Sequence, residues 1–240
     1  MKGFFITGTD TGIGKTLITS LLALGLRRQG VHVCPVKPIG AGGVFIENRL
    51  ISEDVLVYRR VADIEEPASL LNPICFQRAV SPHFAAELEG RPIVSCQIIK
   101  SLEKISARYD VLLVEGVGGW MVPLNGEYLV ADLAKALKLP ILVASANRLG
   151  TLNHTLLTLA SIRQSGCSLA GVVFTHSQPD APADLARNNI ETIEKIGKTA
   201  ILGSIPFLEP QLLENPDREL LWRKIRNAFQ WNQIIQLLTT

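Results

Sequence analysis

Apolar and polar positions fall in blocks along this chain, and the blocks predict strands and helices in turn. Phe4-Phe5-Ile6 is an apolar run, glycines and polar residues fill positions 8–16, and an apolar-periodic stretch opens at Leu17. This order predicts a strand, a glycine-rich loop and a helix over 16–29, which Gly30 stops. Residues 31–36 read as a second buried strand, ended by Lys37-Pro38-Ile39-Gly40. Helical spacing follows over 52–61, is broken by Pro67, Pro73, Pro82 and Pro92, and resumes over 97–107. Val111-Leu112-Leu113-Val114 is a continuous apolar strand; 141–144, 171–174 and 201–205 are three more, alternating with helical patterns at 129–138, 151–165, 182–196 and 217–237. Continuous apolar strands alternating with helices predict an α/β fold, a mostly parallel sheet of about seven strands with helices on both faces. Ligands of such sheets bind beyond the carboxyl ends of the strands, so the residues just after each strand are the candidates for chemistry.

Composition narrows the class. The 240 residues contain no linker or repeat that would divide them, so 1–240 reads as one domain, and a hydrophobic fraction of 47% supplies a sizeable core. A net charge of +2 offers no special attraction to nucleic acid. Cys34, Cys75, Cys96 and Cys167 are too scattered for a metal or redox pair, and each is expected to be a small buried apolar residue. The first strand begins without a preceding signal segment, and no apolar run approaches the roughly 18 residues that span a bilayer. A cytoplasmic protein without a membrane partner is expected.

The chemistry begins at Gly8-Thr9-Asp10-Thr11-Gly12-Ile13-Gly14-Lys15-Thr16. Between a strand and a helix, such a loop offers successive backbone N–H groups and the positive helix end to a nucleoside triphosphate, with Lys15 for the β/γ phosphates and the Thr16 hydroxyl for Mg²⁺. Its spacing is a variant, with five residues between Gly8 and Gly14. Glu115 ends a buried strand before Gly116-Val117-Gly118-Gly119 and reads either as a ligand or as a strand end facing water. Asp54 reads either as a second Mg²⁺ ligand or as an ordinary first-turn acid meeting the helix dipole. Lys37, at a strand end, reads either as a cation for a transferring phosphoryl group or as a solvated lysine. The Gly40-Ala41-Gly42-Gly43 turn is equally an anion-binding turn or a flexible loop, and Gly150-Thr151-Leu152-Asn153-His154 reads first as an ordinary helix start capped by Thr151 or Asn153 and second as a carboxylate-binding one. His83 and His154 have no partners at triad or zinc spacing.

Taken in order, the phosphate loop, Lys37-Pro-Ile-Gly-Ala-Gly42, Glu53-Asp54 with Tyr58, Ser81-Pro-His-Phe-Ala-Ala86, Val114-Glu-Gly-Val-Gly-Gly119, Leu149-Gly-Thr-Leu-Asn-His-Thr155 and Ile205-Pro-Phe207 resemble the dethiobiotin synthetases of biotin biosynthesis, from residue 4 to about 208. The resemblance implies an ATP- and Mg²⁺-dependent ligase that closes a cyclic urea from 7,8-diaminononanoate and CO₂ through a carbamate and its mixed anhydride with phosphate. It implies Lys15, Lys37 and Thr11 as catalytic residues, and Thr16, Asp54 and Glu115 as Mg²⁺ ligands. The implied ATP contacts are Gly12, Ile13, Gly14, Lys15, Thr16 and Leu17 at the phosphates, with Asp54, Glu115, Gly116, Val117 and Gly118. Thr175, His176, Pro206, Phe207 and Leu208 are implied beside adenine. Ala41 is implied on the substrate side, with Gly150 and Asn153 of a neighbouring subunit at the substrate carboxylate, hence a homodimer with sites at its interface.

Two positions depart from the family pattern. Ala41 stands where Ser is common, which removes a hydrogen bond of about 1 kcal/mol. Thr175 stands where Asn is common and cannot present both an amide donor and a carbonyl acceptor to a base, which points to looser nucleotide selection. A competing class is the switch ATPase of the partition or cell-division-positioning type, whose loops carry a Lys where this chain has Asp10 and whose tails can bind membranes. The amphipathic 217–238 segment, with Trp222, Phe229 and Trp231, is the feature on which that reading rests. An amide-forming synthase of the cobyrinate type would need a glutaminase domain, for which there is no room.

Overall fold

The computed structural model describes residues 1–176, 178 and 182–239. Its strands are β1 (Gly3–Gly8), β2 (Val33–Val36), β3 (Ile39–Ala41), β4 (Val44–Ile46), β5 (Arg49–Ile51), β6 (Ile74–Phe76), β7 (Val111–Glu115), β8 (Ile141–Ala146), β9 (Leu169–Thr175) and β10 (Ile201–Ile205). The helices are α1 (Lys15–Arg28), α2 (Glu53–Ala62), α3 (Ala68–Leu71), α4 (Pro82–Leu88), α5 (Ser95–Ser106), α6 (Val130–Leu137), α7 (Thr151–Gln164), α8 (Ala183–Gly197), α9 (Pro210–Glu214), α10 (Arg218–Ile225) and α11 (Trp231–Thr239).

Six strands form one parallel sheet in the order β10-β9-β8-β1-β7-β2. Every residue of β1, β7 and β8 is buried, so these strands show no polar alternation and read as unbroken apolar runs. The chain leaves β1 toward β2 on one side, and after β7 it crosses to β8 on the other. β1 is therefore the switch point of the sheet, and the crevice beyond its carboxyl end is where the phosphate loop emerges.

The proline-interrupted region forms structure that local periodicity does not reveal. β3 pairs in parallel with β6, and β4 with β5 is a short hairpin whose Glu47 and Asn48 both have positive φ, the requirement of a tight two-residue turn. The Gly40-Ala41-Gly42-Gly43 turn thus begins inside a strand.

The single helix expected over 217–237 is two, α10 and α11. Between them the chain turns outward to the sheet edge, where the Ser204 N–H donates to Ala228 O (2.8 Å) and the Gln230 N–H donates to Leu202 O (2.9 Å). Trp231 packs between Trp222 and Phe229, with centroid distances of 5.7 and 4.8 Å, and its ring lies on α1 where Gly25 leaves room; a Cβ at Gly25 would come within 2.0 Å of it. The aromatics of this segment are spent on packing, and no helix among the described residues is long and apolar enough to cross a membrane. The cysteines also divide differently than expected: Cys34 and Cys75 are buried and Cys167 half-buried, but Cys96 is exposed on the first turn of α5.

Candidate active site

Gly14 caps α1 in the left-handed conformation (φ 91°) with no side-chain hydrogen bond, so the N–H groups of the first turn stay open to an anion. Glycine is required there twice over, since a Cβ would also meet the Thr175 methyl at 2.8 Å. Lys15 curls back so that Nζ donates to Asp10 O at 2.8 Å, and the Asp10 carboxylate accepts the Thr11 N–H at 2.7 Å. Burial, reinforced by nearby Lys37 and opposed by three carboxylates, lowers the Lys15 ammonium to about 8.

Three segments distant in sequence meet at the Thr16 hydroxyl. It faces Asp54 Oδ1 and lies 2.9 Å from Glu115 Oε1, yet it has one proton to give. Asp54 is placed by the α2 cap: Ser52 Oγ accepts the Asp54 N–H (3.2 Å) and donates to Asp54 Oδ2 (2.8 Å). Glu115 is the last residue of β7 and Lys37 follows the last residue of the adjacent β2, so sheet pairing brings them side by side. Lys37 Nζ lies 2.7 Å from Glu115 Oε1, 3.1 Å from Gly116 O and 3.3 Å from Asp54 Oδ2. Burial alone would pull the Lys37 ammonium down, but the two carboxylates outweigh it and hold it above its ordinary value. Burial likewise pushes Asp54 up, and Lys37 with the Thr16 and Ser52 hydroxyls reverses this, leaving it below the ordinary range.

The Thr16 hydroxyl and the Asp54 and Glu115 carboxylates it faces are hard oxygen donors, the kind that could hold a small divalent cation. Among the described residues no group of three His, Cys, Asp or Glu side chains could hold a metal. A cation here would therefore draw its remaining ligands from phosphate and water, which suits Mg²⁺.

A cleft of about 720 Å³ runs from this cluster, and Thr11, Gly12, Gly14, Ala41, Val117 and Gly118 line it beside the charged residues. Ala79, Val80, Ser81 and Pro82, leading into α4, close its far side. Ile13 is buried under the loop, Leu17 half-buried behind it, and Gly116 contributes its carbonyl to Lys37.

The remaining site candidates lie outside the cleft. Thr175 is buried and donates its hydroxyl to Ile13 O at 2.8 Å, tying the end of β9 to the phosphate loop. His176 joins β9 to β10, its N–H to Ile205 O (3.1 Å) and its Nε2 opposite Ser204 Oγ (3.0 Å); burial lowers its imidazole. Pro206, Phe207 and Leu208 follow the carboxyl end of β10, with Leu208 buried. Gly150 and Asn153 are exposed at the start of α7, where neither Thr151 nor Asn153 caps the helix; the Thr151 hydroxyl pairs instead with Ser145 at 2.7 Å.

Two residues given no role from the sequence support the cluster. Tyr58 is fully buried and its hydroxyl donates to Glu115 Oε2 at 2.6 Å; burial first, then the Glu115 charge, raises the phenol well above its usual value. Its place four residues after Asp54, on the same face of a helix, was the available signal. Asn72 donates from Nδ2 to Lys37 O (2.7 Å) and Ile74 O (2.9 Å), fixing the backbone from which Lys37 projects. Nothing local marks it.

A protein-family profile described as an AAA domain matches residues 2–215. The ATP-dependent dethiobiotin synthetase BioD of Methanocaldococcus jannaschii is 37% identical over 209 residues, covering 85% of this chain and 94% of that protein. Proteins of the same name from Thermodesulfovibrio yellowstonii (36%; 86% and 89% covered) and Anoxybacillus flavithermus (34%; 93% and 98% covered) are similar over as much of their length. Among solved structures, the cell division ATPase MinD of Pyrococcus furiosus (TM-score 0.55, 18% identity, 100% and 98% covered) and a ParA family ATPase of Chlorobium tepidum (TM-score 0.54, 14% identity, 100% and 98% covered) share the fold alone. The chain belongs to the dethiobiotin synthetase family of P-loop, AAA-domain proteins.

Proposed function

We propose that this protein is an ATP-dependent ligase of biotin biosynthesis that closes the cyclic urea of dethiobiotin from 7,8-diaminononanoate and CO₂, releasing ADP and phosphate. One amine adds to CO₂ and loses a proton to give a carbamate. A carbamate oxygen attacks the γ-phosphorus of ATP and ADP departs. The second amine then attacks the carbonyl carbon, expels phosphate and loses its proton. The carbamate itself is a poor electrophile, because its leaving group would be oxide-like, and phosphorylation supplies a better one.

The observation that carries this reading is the convergence of Lys15, Lys37, Thr16, Asp54 and Glu115 on one cleft, with space beyond Lys37 for a second substrate. Phosphoryl transfer needs positioning and charge neutralisation more than covalent help from the protein. Lys15 and the α1 amino terminus would hold the phosphate oxygens, with Thr11 on the loop above them. Lys37, kept protonated by its two carboxylates, would share the charge of the carbamate and the transferring phosphoryl group. Thr16, Asp54 and Glu115 would hold Mg²⁺, which supplies charge neutralisation at the phosphates. In a homodimer, Gly150 and Asn153 of one subunit would receive the substrate carboxylate of the other; the exposure of Leu149 and Leu157 on that same face supports such a contact. Release of ADP and phosphate is expected only with ATP, Mg²⁺, bicarbonate and diamine together, and ¹³C from bicarbonate should appear in the product. Diamine-independent turnover without a labelled cyclic urea would overturn the assignment.

A further inference from the structure

We infer that Tyr58 is a positioning residue for this site: its phenol holds Glu115 Oε2 so that Oε1 alone is presented to Thr16, Lys37 and an incoming cation. The inference rests on the metal-binding role proposed above for Glu115.

A carboxylate's last torsion is broad and two-fold, so an unrestrained Glu115 could turn either oxygen, or both, toward the Lys37 ammonium. The structure divides the two oxygens cleanly. Oε1 takes Lys37 at 2.7 Å and Thr16 at 2.9 Å, while Oε2 takes the Tyr58 hydroxyl at 2.6 Å. The Glu115 side chain has no exposed area and Tyr58 is fully buried, so water cannot replace the phenol. A carboxylate only accepts, which fixes the phenol as donor. Helix α2 thus serves the site twice, through Asp54 and, one turn on, through Tyr58 acting on the end of β7. Partners that orient metal ligands typically change metal affinity or activity about 10- to 100-fold.

The test is Tyr58→Phe in the full-length protein, with Mn²⁺ as the probe in electron paramagnetic resonance titrations of the ADP complex. A cooperative thermal transition, unchanged ADP affinity without metal and about tenfold weaker Mn²⁺ binding are expected, the low end of that range. Glu115→Gln should weaken Mn²⁺ more, and adding Tyr58→Phe to it should cost nothing further. Tyr58→Leu, which also removes the ring, should melt lower yet bind Mn²⁺ as Tyr58→Phe does. Unchanged Mn²⁺ affinity in Tyr58→Phe while Glu115→Gln loses it would reduce Tyr58 to core filling and overturn the inference. So would losses that follow melting temperature across the two Tyr58 variants. If Glu115→Gln binds Mn²⁺ like the wild type, the metal-site reading itself falls and takes the inference with it.

Discussion

Replacing Lys37 with alanine removes the ammonium shared by a buried carboxylate, Glu115, and a half-buried one, Asp54. Glu115 has no exposed side-chain area, Asp54 is 23% exposed and Lys37 6%, at distances of 2.7 and 3.3 Å. Breaking such a pair from one side typically costs about 3–5 kcal/mol. The Thr16, Ser52 and Tyr58 hydroxyls remain as donors, which favours the low end, about 3 kcal/mol. The cost also depends on pH: Lys37 helps to hold Asp54 below the ordinary carboxylate range, so without it Asp54 takes up a proton more readily as pH falls. For a chain of this size about 3 kcal/mol lowers the melting temperature by roughly 6–12 °C at pH 7. The deficit should shrink toward pH 5, where taking up a proton costs less than the lost pairing. Mg²⁺ should raise the melting temperature of Lys37→Ala more than that of the wild type, because the cation no longer competes with an ammonium. Calorimetry at pH 7 and pH 5, with and without Mg²⁺, measures all three quantities, while turnover should be lost with nucleotide binding retained. A variant as stable as the wild type at pH 7, with the same Mg²⁺ response, would refute the shared-ammonium account; unchanged kcat would remove Lys37 from the mechanism.

Thr175→Val keeps the shape of the side chain but removes the donor to Ile13 O, so ATP affinity should fall about two- to tenfold, the scale of one hydrogen bond. Equal affinity in a nucleotide titration would mean that Thr175 does not brace the loop. Ala41→Ser, on the cleft wall, should leave the fold intact and lower or preserve KM for the diamine; a large increase would contradict the placement of residue 41 beside that substrate. Burial raises the thiols of Cys34 and Cys75 to about 12 and about 11, so at pH 8 both stay protonated and iodoacetamide should label exposed Cys96 first, as read by peptide mapping. Because Cys34 ionises more readily unfolded than folded, its contribution to stability is present below about pH 9 and lost as pH rises toward 12; a melting temperature flat across that alkaline window would argue against it.

Local order determined much of this protein. Phe4-Phe5-Ile6, the glycine-rich loop and the stretch from Leu17 are a strand, a turn and a helix because burial on both faces, positive φ and helical periodicity each write themselves into neighbouring residues. The same logic located Lys37 and Glu115 at strand ends and Asp54 in a first helical turn, but left each with a bland alternative. Tertiary structure buries Lys37 and Glu115, so neither is a solvated strand end, and brings Asp54, still a first-turn acid, against them. Thr16 meets Asp54 across 38 positions and Glu115 across 99, and Lys37 meets Glu115 across 78, because β2 lies beside β7 and α2 returns over α1. Strand order also decided that Thr175 spends its hydroxyl on Ile13, 162 positions away, and that the chain breaks between α10 and α11 to bond the edge of β10. Periodicity reports whether one residue is buried, whereas a charged cluster is a property of pairs. Which pairs meet depends on the order in which the strands join the sheet.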